Sequence, residues 1–168
     1  MFKKIILPLI IYTSLSSYEL ENKLETVIIG KVAKYVEFED IRDNKYFVIT
    51  VIKPKNQKLF KTIYKDKKIH HKPVKINFID SIDELENTNV LYIVDVTSKE
   101  LSEIIQKTKN KNILTISDTR GFVQKGGILQ LYFASQKIKI KLNIHSAKKH
   151  NIKIKPMLLR ISNIEGKA

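Results

Sequence analysis

Cysteine and tryptophan are absent from the 168 residues, glycine occurs five times and proline four. Without cysteine there is no disulfide, no thiolate metal ligand, no cysteine nucleophile and no lipid-attached N-terminal cysteine. Stability must therefore come from packing. No apolar run reaches the roughly 20 residues that carry a helix across a bilayer. Arginine is also scarce: of 31 basic residues only Arg42, Arg120 and Arg160 are not lysine. Base and phosphate recognition favours the planar guanidinium fork, and the lysines are spread along the chain among abundant Ile and Asn, as an AT-rich coding sequence yields. No nucleic-acid partner is expected. The net charge of +14 suits instead long-range steering toward anionic headgroups or an acidic protein.

The chain is 43% hydrophobic and 29% charged, a composition of folded globular proteins. Its length suits one domain. The N-terminus reads differently. "MFKK" supplies positive charge, "IILPLIIYTSL" a short apolar core, and Ser14 and Ser16 the small residues of a processing site. Residues 1–17 are expected to be a cleavable export signal, cut after Ser16 or Ser17, with a single domain over residues 18–168.

From Tyr18 to Phe38, Leu20, Leu24, Ile28, Val32, Tyr35 and Val36 recur at spacings of three and four, predicting a long opening helix. "KYFVITVI", "PVKINFI", "NVLYIVDV" and "NILTISD" read as buried strands, separated by the helical "NQKLFKTIYK", an acidic turn "DSIDELEN" and "TSKELSEIIQKTKN", which opens on a Thr97 or Ser98 cap. Alternation of this kind predicts an α/β three-layer sandwich: about four mainly parallel strands with helices on both faces. "ILQLYFASQKIKIKLNI" then reads as an antiparallel hairpin turning near Ser135 and Gln136, its second strand alternating Ile138, Ile140 and Leu142 with lysines. "HSAKKHN" should form a short helix ended by Asn151, and a last helix should start at Pro156 and bury Met157, Leu158 and Ile161.

Three of the five glycines fall in "SDTRGFVQKGG", residues 117–127. One reading is conformational: Gly121, Gly126 and Gly127 let the chain leave a parallel strand and enter the hairpin. The other is functional, since a loop beyond a strand's carboxyl end is where α/β proteins bind ligands, here exposing Asp118, Arg120 and Phe122 beside Ser117. No Gly-Lys-Ser/Thr follows, so it is not a phosphate loop. Asn143 is a further candidate, on the exposed face of the hairpin or as a polar cap. His70 and His71 are adjacent, and His145 and His150 lie five apart, off the spacing of a helical metal pair; all four are expected in loops or solvent. No Gly-x-Ser-x-Gly elbow or paired carboxylates support catalysis. Neither enzyme activity nor a cofactor is expected.

The ordered set Ser117-Asp118, Gly121-Phe122, Gly126-Gly127, Asn143, Ala147 and Leu158-Leu159, with the helix "VIIGKVAKYVEFED" before it, resembles the YfiR-like family of exported bacterial proteins. Lys141, Gln130 and Asn151 depart from that pattern. The resemblance implies a periplasmic regulator that holds the sensing region of an inner-membrane diguanylate cyclase inactive, and so acts on cyclic di-GMP signalling and biofilm formation. An outer-membrane or peptidoglycan-associated partner and a homodimer fit the same picture. The rival reading is a periplasmic small-molecule sensor, whose mark would be a pocket gathering Asp118, Arg120 and Phe122; an exposed apolar patch, for instance on the first helix, would favour a protein partner.

Overall fold

A computed structural model describes residues 8–39, 41, 44–135 and 137–165, with side chains from Tyr18 onward. In chain order the elements are α1 (Pro8–Ala33), β1 (Val36–Glu37), β2 (Phe47–Ile52), α2 (Gln57–Tyr64), β3 (Lys68–Ile69), β4 (Lys72–Ile79), β5 (Val90–Ile93), α3 (Ser98–Thr108), β6 (Leu114–Ser117), β7 (Leu129–Ala134), β8 (Lys137–Asn143), α4 (Ile144–Lys149), β9 (Lys153–Ile154), α5 (Pro156–Ile161) and β10 (Asn163–Glu165). Among the described residues no helix is long and apolar enough to cross a membrane.

The main sheet has the strand order β10-β8-β7-β6-β5-β2-β4-β3. β4, β2, β5, β6 and β7 run parallel, β7 and β8 are antiparallel, and β10 lies parallel to β8. The fold is mixed α/β, but the sheet has eight strands rather than the six expected from four parallel strands and a hairpin. The added edge strands β3 and β10 are too short to carry an alternation pattern. β1 and β9 form a separate antiparallel pair. Central strands read as continuous apolar runs because both faces are covered, and all four residues of β5 are buried.

Side chains of alternate strand residues enter two cores. One gathers Ile49, Val51, Val90, Tyr92, Leu129 and Leu142 against Ile29, Val32 and Ala33 of α1, Phe60 and Tyr64 of α2, and Leu158 of α5. The other gathers Ile52, Ile79, Leu91 and Ile93 against Leu101 and Ile104 of α3, with Phe122 and Val123. α3 opens as expected on a reciprocal cap, in which Thr97 and Glu100 each accept the other's backbone N–H.

The opening helix differs from expectation in extent and phase. It runs from Pro8 and ends at Ala33. Its buried residues are Thr26, Ile29, Gly30, Val32 and Ala33; of the expected stripe Val32 and, just past the helix, Val36 are buried, Leu24 and Ile28 are half-buried, and Leu20 is 55% exposed. Tyr64 sets the phase. Its hydroxyl donates to the Thr26 carbonyl at 2.6 Å, and its ring lies where a Cβ on residue 30 would approach within 2.8 Å, so only glycine at position 30 lets α2 lie this close to α1.

The last helix also differs: Leu158 is fully buried, but Met157 is 46% and Ile161 60% exposed. Asn151 takes the left-handed conformation that ends α4 (φ 55°), and the hairpin turn includes Ser135 at φ 51°; Gln136 lies outside the described residues.

Candidate functional site at the strand ends

The glycine segment does a helix's work. β6 and β7 are parallel neighbours, and a parallel pair needs a crossover of about a dozen residues. Residues 118–128 supply it as successive turns, with Lys125 N–H bonded to the Gly121 carbonyl at 3.1 Å and Gly127 N–H to the Phe122 carbonyl at 3.0 Å. Like the inner face of a helix, the segment plugs the second core with Phe122 and Val123, both fully buried. A Cβ on residue 127 would stand 2.2 Å from the Phe122 ring, so the ring fits because Gly127 has none. Gly126, at φ +104°, occupies backbone space that L side chains avoid.

The sequence-derived site residues therefore separate. Ser117 is buried and donates its hydroxyl to the Ile93 carbonyl at 2.9 Å while accepting the Thr119 N–H at 3.1 Å, which holds the exit of β6. Arg120 is exposed. Phe122, expected at the surface, belongs to the core. Asn143 is half-buried rather than displayed: its Oδ1 accepts the Ser146 N–H at 2.9 Å as the cap of α4, and its Nδ2 donates to the Val123 carbonyl at 2.8 Å. His150, expected in a loop or in solvent, lies in the turn that ends α4 but is buried there, which lowers its basicity. His70 bonds the Ala33 carbonyl at 2.9 Å through Nε2 and touches the Phe38 and Phe47 rings.

Asp118 alone points to a cavity. It lies past the carboxyl ends of β2, β5 and β6, under α1, with a volume of about 100 Å³, and its walls include Glu21, Glu25, Lys55, Phe60, Tyr92 and Asp118. Sheets of this type place binding sites at strand ends, but small-molecule sites hold about 300–1,000 Å³. This one has room for a few waters only. Among the described residues no three His, Cys, Asp or Glu side chains gather to hold a metal.

The centre of the cavity is Glu25, whose Oε2 accepts the Tyr92 hydroxyl at 3.1 Å. Burial pushes the Glu25 carboxyl from 4.5 up to about 7, the negative charge of Asp118 adds to the rise, and the Tyr92 hydrogen bond opposes it. Burial raises Asp118 as well, against the attraction of Lys55. Tyr92 is pushed well above the ordinary phenol range by burial and then by Glu25 and Asp118. The arrangement takes up and releases a proton near neutrality beneath α1.

Glu25 and Tyr92 were missed by reading the sequence. A stripe drawn through Leu20, Leu24 and Ile28 leaves Glu25 on the flank of the helix. Counting back by four from the buried Ile29 places it on the core side. A carboxylate in the core register was the signal.

The profile of a family described as YfiR/HmsC-like matches residues 22–163. No curated protein matches the chain.

Proposed function

From the premise that the chain belongs to the YfiR/HmsC-like family, a family associated with periplasmic regulation of diguanylate cyclases, we propose that it is a non-catalytic periplasmic repressor. It binds the periplasmic sensing region of an inner-membrane signalling protein, a diguanylate cyclase, and holds it inactive. Residues 1–17 are the export signal in this reading. The observation that carries it is the family match across the domain. Exposed apolar side chains support a protein partner: Met157 and Ile161 share one face of α5, and Phe133 is 39% exposed on the side of the sheet that α5 covers. Tyr18 and Leu20 add exposed apolar surface on α1.

A metabolite sensor has less support. Of Asp118, Arg120 and Phe122 only the first reaches a cavity, and that cavity is small. The test pairs two measurements in cells that produce a membrane diguanylate cyclase with a periplasmic sensing region. Cyclic di-GMP should fall several-fold when the chain is co-produced, and the periplasmic region should co-purify with it. Unchanged cyclic di-GMP with no co-purification overturns the reading. Osmotic-shock release and N-terminal sequencing from Ser17 or Tyr18 test export separately.

A further inference from the structure

Lysines in this protein fall into two classes. Four lysines are ion-paired: Lys53 with Glu100 at 2.5 Å, Lys55 with Asp95 at 4.0 Å, Lys107 with both Asp83 and Glu103, and Lys141 with Glu165 at 3.5 Å. Those along α2 are not. Lys58 and Lys61, with Lys65 at the cap just past the helix end, recur at spacings of three and four on the exposed side away from the buried Phe60 and Tyr64, and border one shallow hollow with Gln57 and Thr62; Lys61 also lies over the Phe78 ring at 5.7 Å. Among the described residues none of the three has a carboxylate within ion-pairing distance. Exposed Lys67, Lys68 and Lys75 extend the charge onto the β3–β4 edge, and Asp66 is the only acidic residue between Asn56 and Phe78.

We infer that the outer face of α2 is a docking surface for the phosphate headgroups of an anionic lipid bilayer. Charge complementarity selects an anion, and the composition of the face selects a lipid surface over a protein. Its outward residues are lysine, glutamine and threonine with no exposed aromatic or aliphatic anchor, whereas protein interface cores are depleted in lysine and enriched in aromatics, methionine and arginine. Clusters of lysine are the feature that anionic headgroups attract, at about fivefold in affinity per residue near the surface. The large exposed apolar residues lie on other elements: Tyr18 and Leu20 on α1, Tyr35 after it, Tyr46 before β2, Phe133 on β7, and Met157 and Ile161 on α5. The inference goes beyond the repressor reading and does not depend on it.

The test is flotation of the purified chain with vesicles of phosphatidylglycerol and phosphatidylcholine, beside vesicles of phosphatidylcholine alone. Binding to the first and not the second is expected, weakening as salt rises. K58E/K61E/K65E should bind at least about tenfold more weakly, while K148E/K149E/K153E, with the same change in net charge, should lose less than about threefold. Both variants carry the same N-terminal residues, so any insertion of that segment cancels. If the triple glutamate variant melts abnormally, K58Q/K61Q/K65Q replaces it with the same expectation. Absence of binding to anionic vesicles, equal loss in the two triple variants, or full binding by the α2 variant overturns the inference. So does a variant that floats normally but no longer co-purifies with a membrane protein's soluble region, which would make the face a protein interface.

Discussion

The two faces of the sheet are closed by different means. On the α3 side the core is interlocked, with Phe122 held against Gly127 and the crossover tied to β8 through Asn143. On the α1 side a larger core ends in a cavity where a carboxyl with a proton affinity near neutrality meets a buried phenol. The first arrangement leaves no slack. The second keeps an ionisable group under a helix whose N-terminal part exposes Tyr18 and Leu20, so stability near neutral pH is expected to depend on the α1 side.

The contrast is broken most severely by Phe122→Ala. Removing a fully buried ring is expected to cost about 3–5 kcal/mol in urea unfolding. Gly127→Ala attacks the same contact from the other side and should cost about 1–3 kcal/mol through overpacking. Combining it with Phe122→Leu should give less than the sum of the two single losses; simple additivity would mean the ring and the glycine are not opposed. Asn143→Ala removes the α4 cap and the tie to Val123 together, for about 1–2 kcal/mol.

The α1 side is sharpened by pH. In the unfolded chain Glu25 ionises near 4.5, but in the folded protein only near 7. Between these values the folded state holds the extra proton, so stability is greatest below the window, falls as pH rises through it and levels off above it. Glu25→Gln should flatten that slope, apart from what Asp118 contributes in the same direction, and raise the melting temperature at pH 8 by a few degrees. An unchanged slope in scanning calorimetry would remove Glu25 from the account. The smallest effect belongs to Arg120→Ala: the side chain is exposed, and the change should stay within about 0.5 kcal/mol.

What could be read from the sequence depended on length and on environment. The runs at 47–52, 90–93 and 114–117 were legible because strands covered on both faces are continuous apolar segments, and the Thr97 cap and Asn151 stop because their chemistry is local. β3 and β10 were not legible, since two or three residues carry no period and exist through the neighbour they pair with. Met157 and Ile161 were assigned to the core because an apolar side chain on a short helix looks buried until its neighbours are known. The site suffered from one error of phase. Tyr64 and Gly30, distant in sequence, rotate α1 onto Thr26 and Ile29, and that rotation carries Glu25 to Tyr92. Asp118 was found because its position after a strand is a topological rule; Glu25 depended on a contact between two helices.

The outermost strand beside β8 comes from Asn163–Glu165 and is laid down parallel, after α4, β9 and α5 have carried the chain back. Until Asn163–Glu165 dock, the outer edge of β8 is bare, and its unpaired backbone groups are open to a strand from another chain. A chain cut just before Asn163 should therefore self-associate through β8, which light scattering would read as concentration-dependent growth.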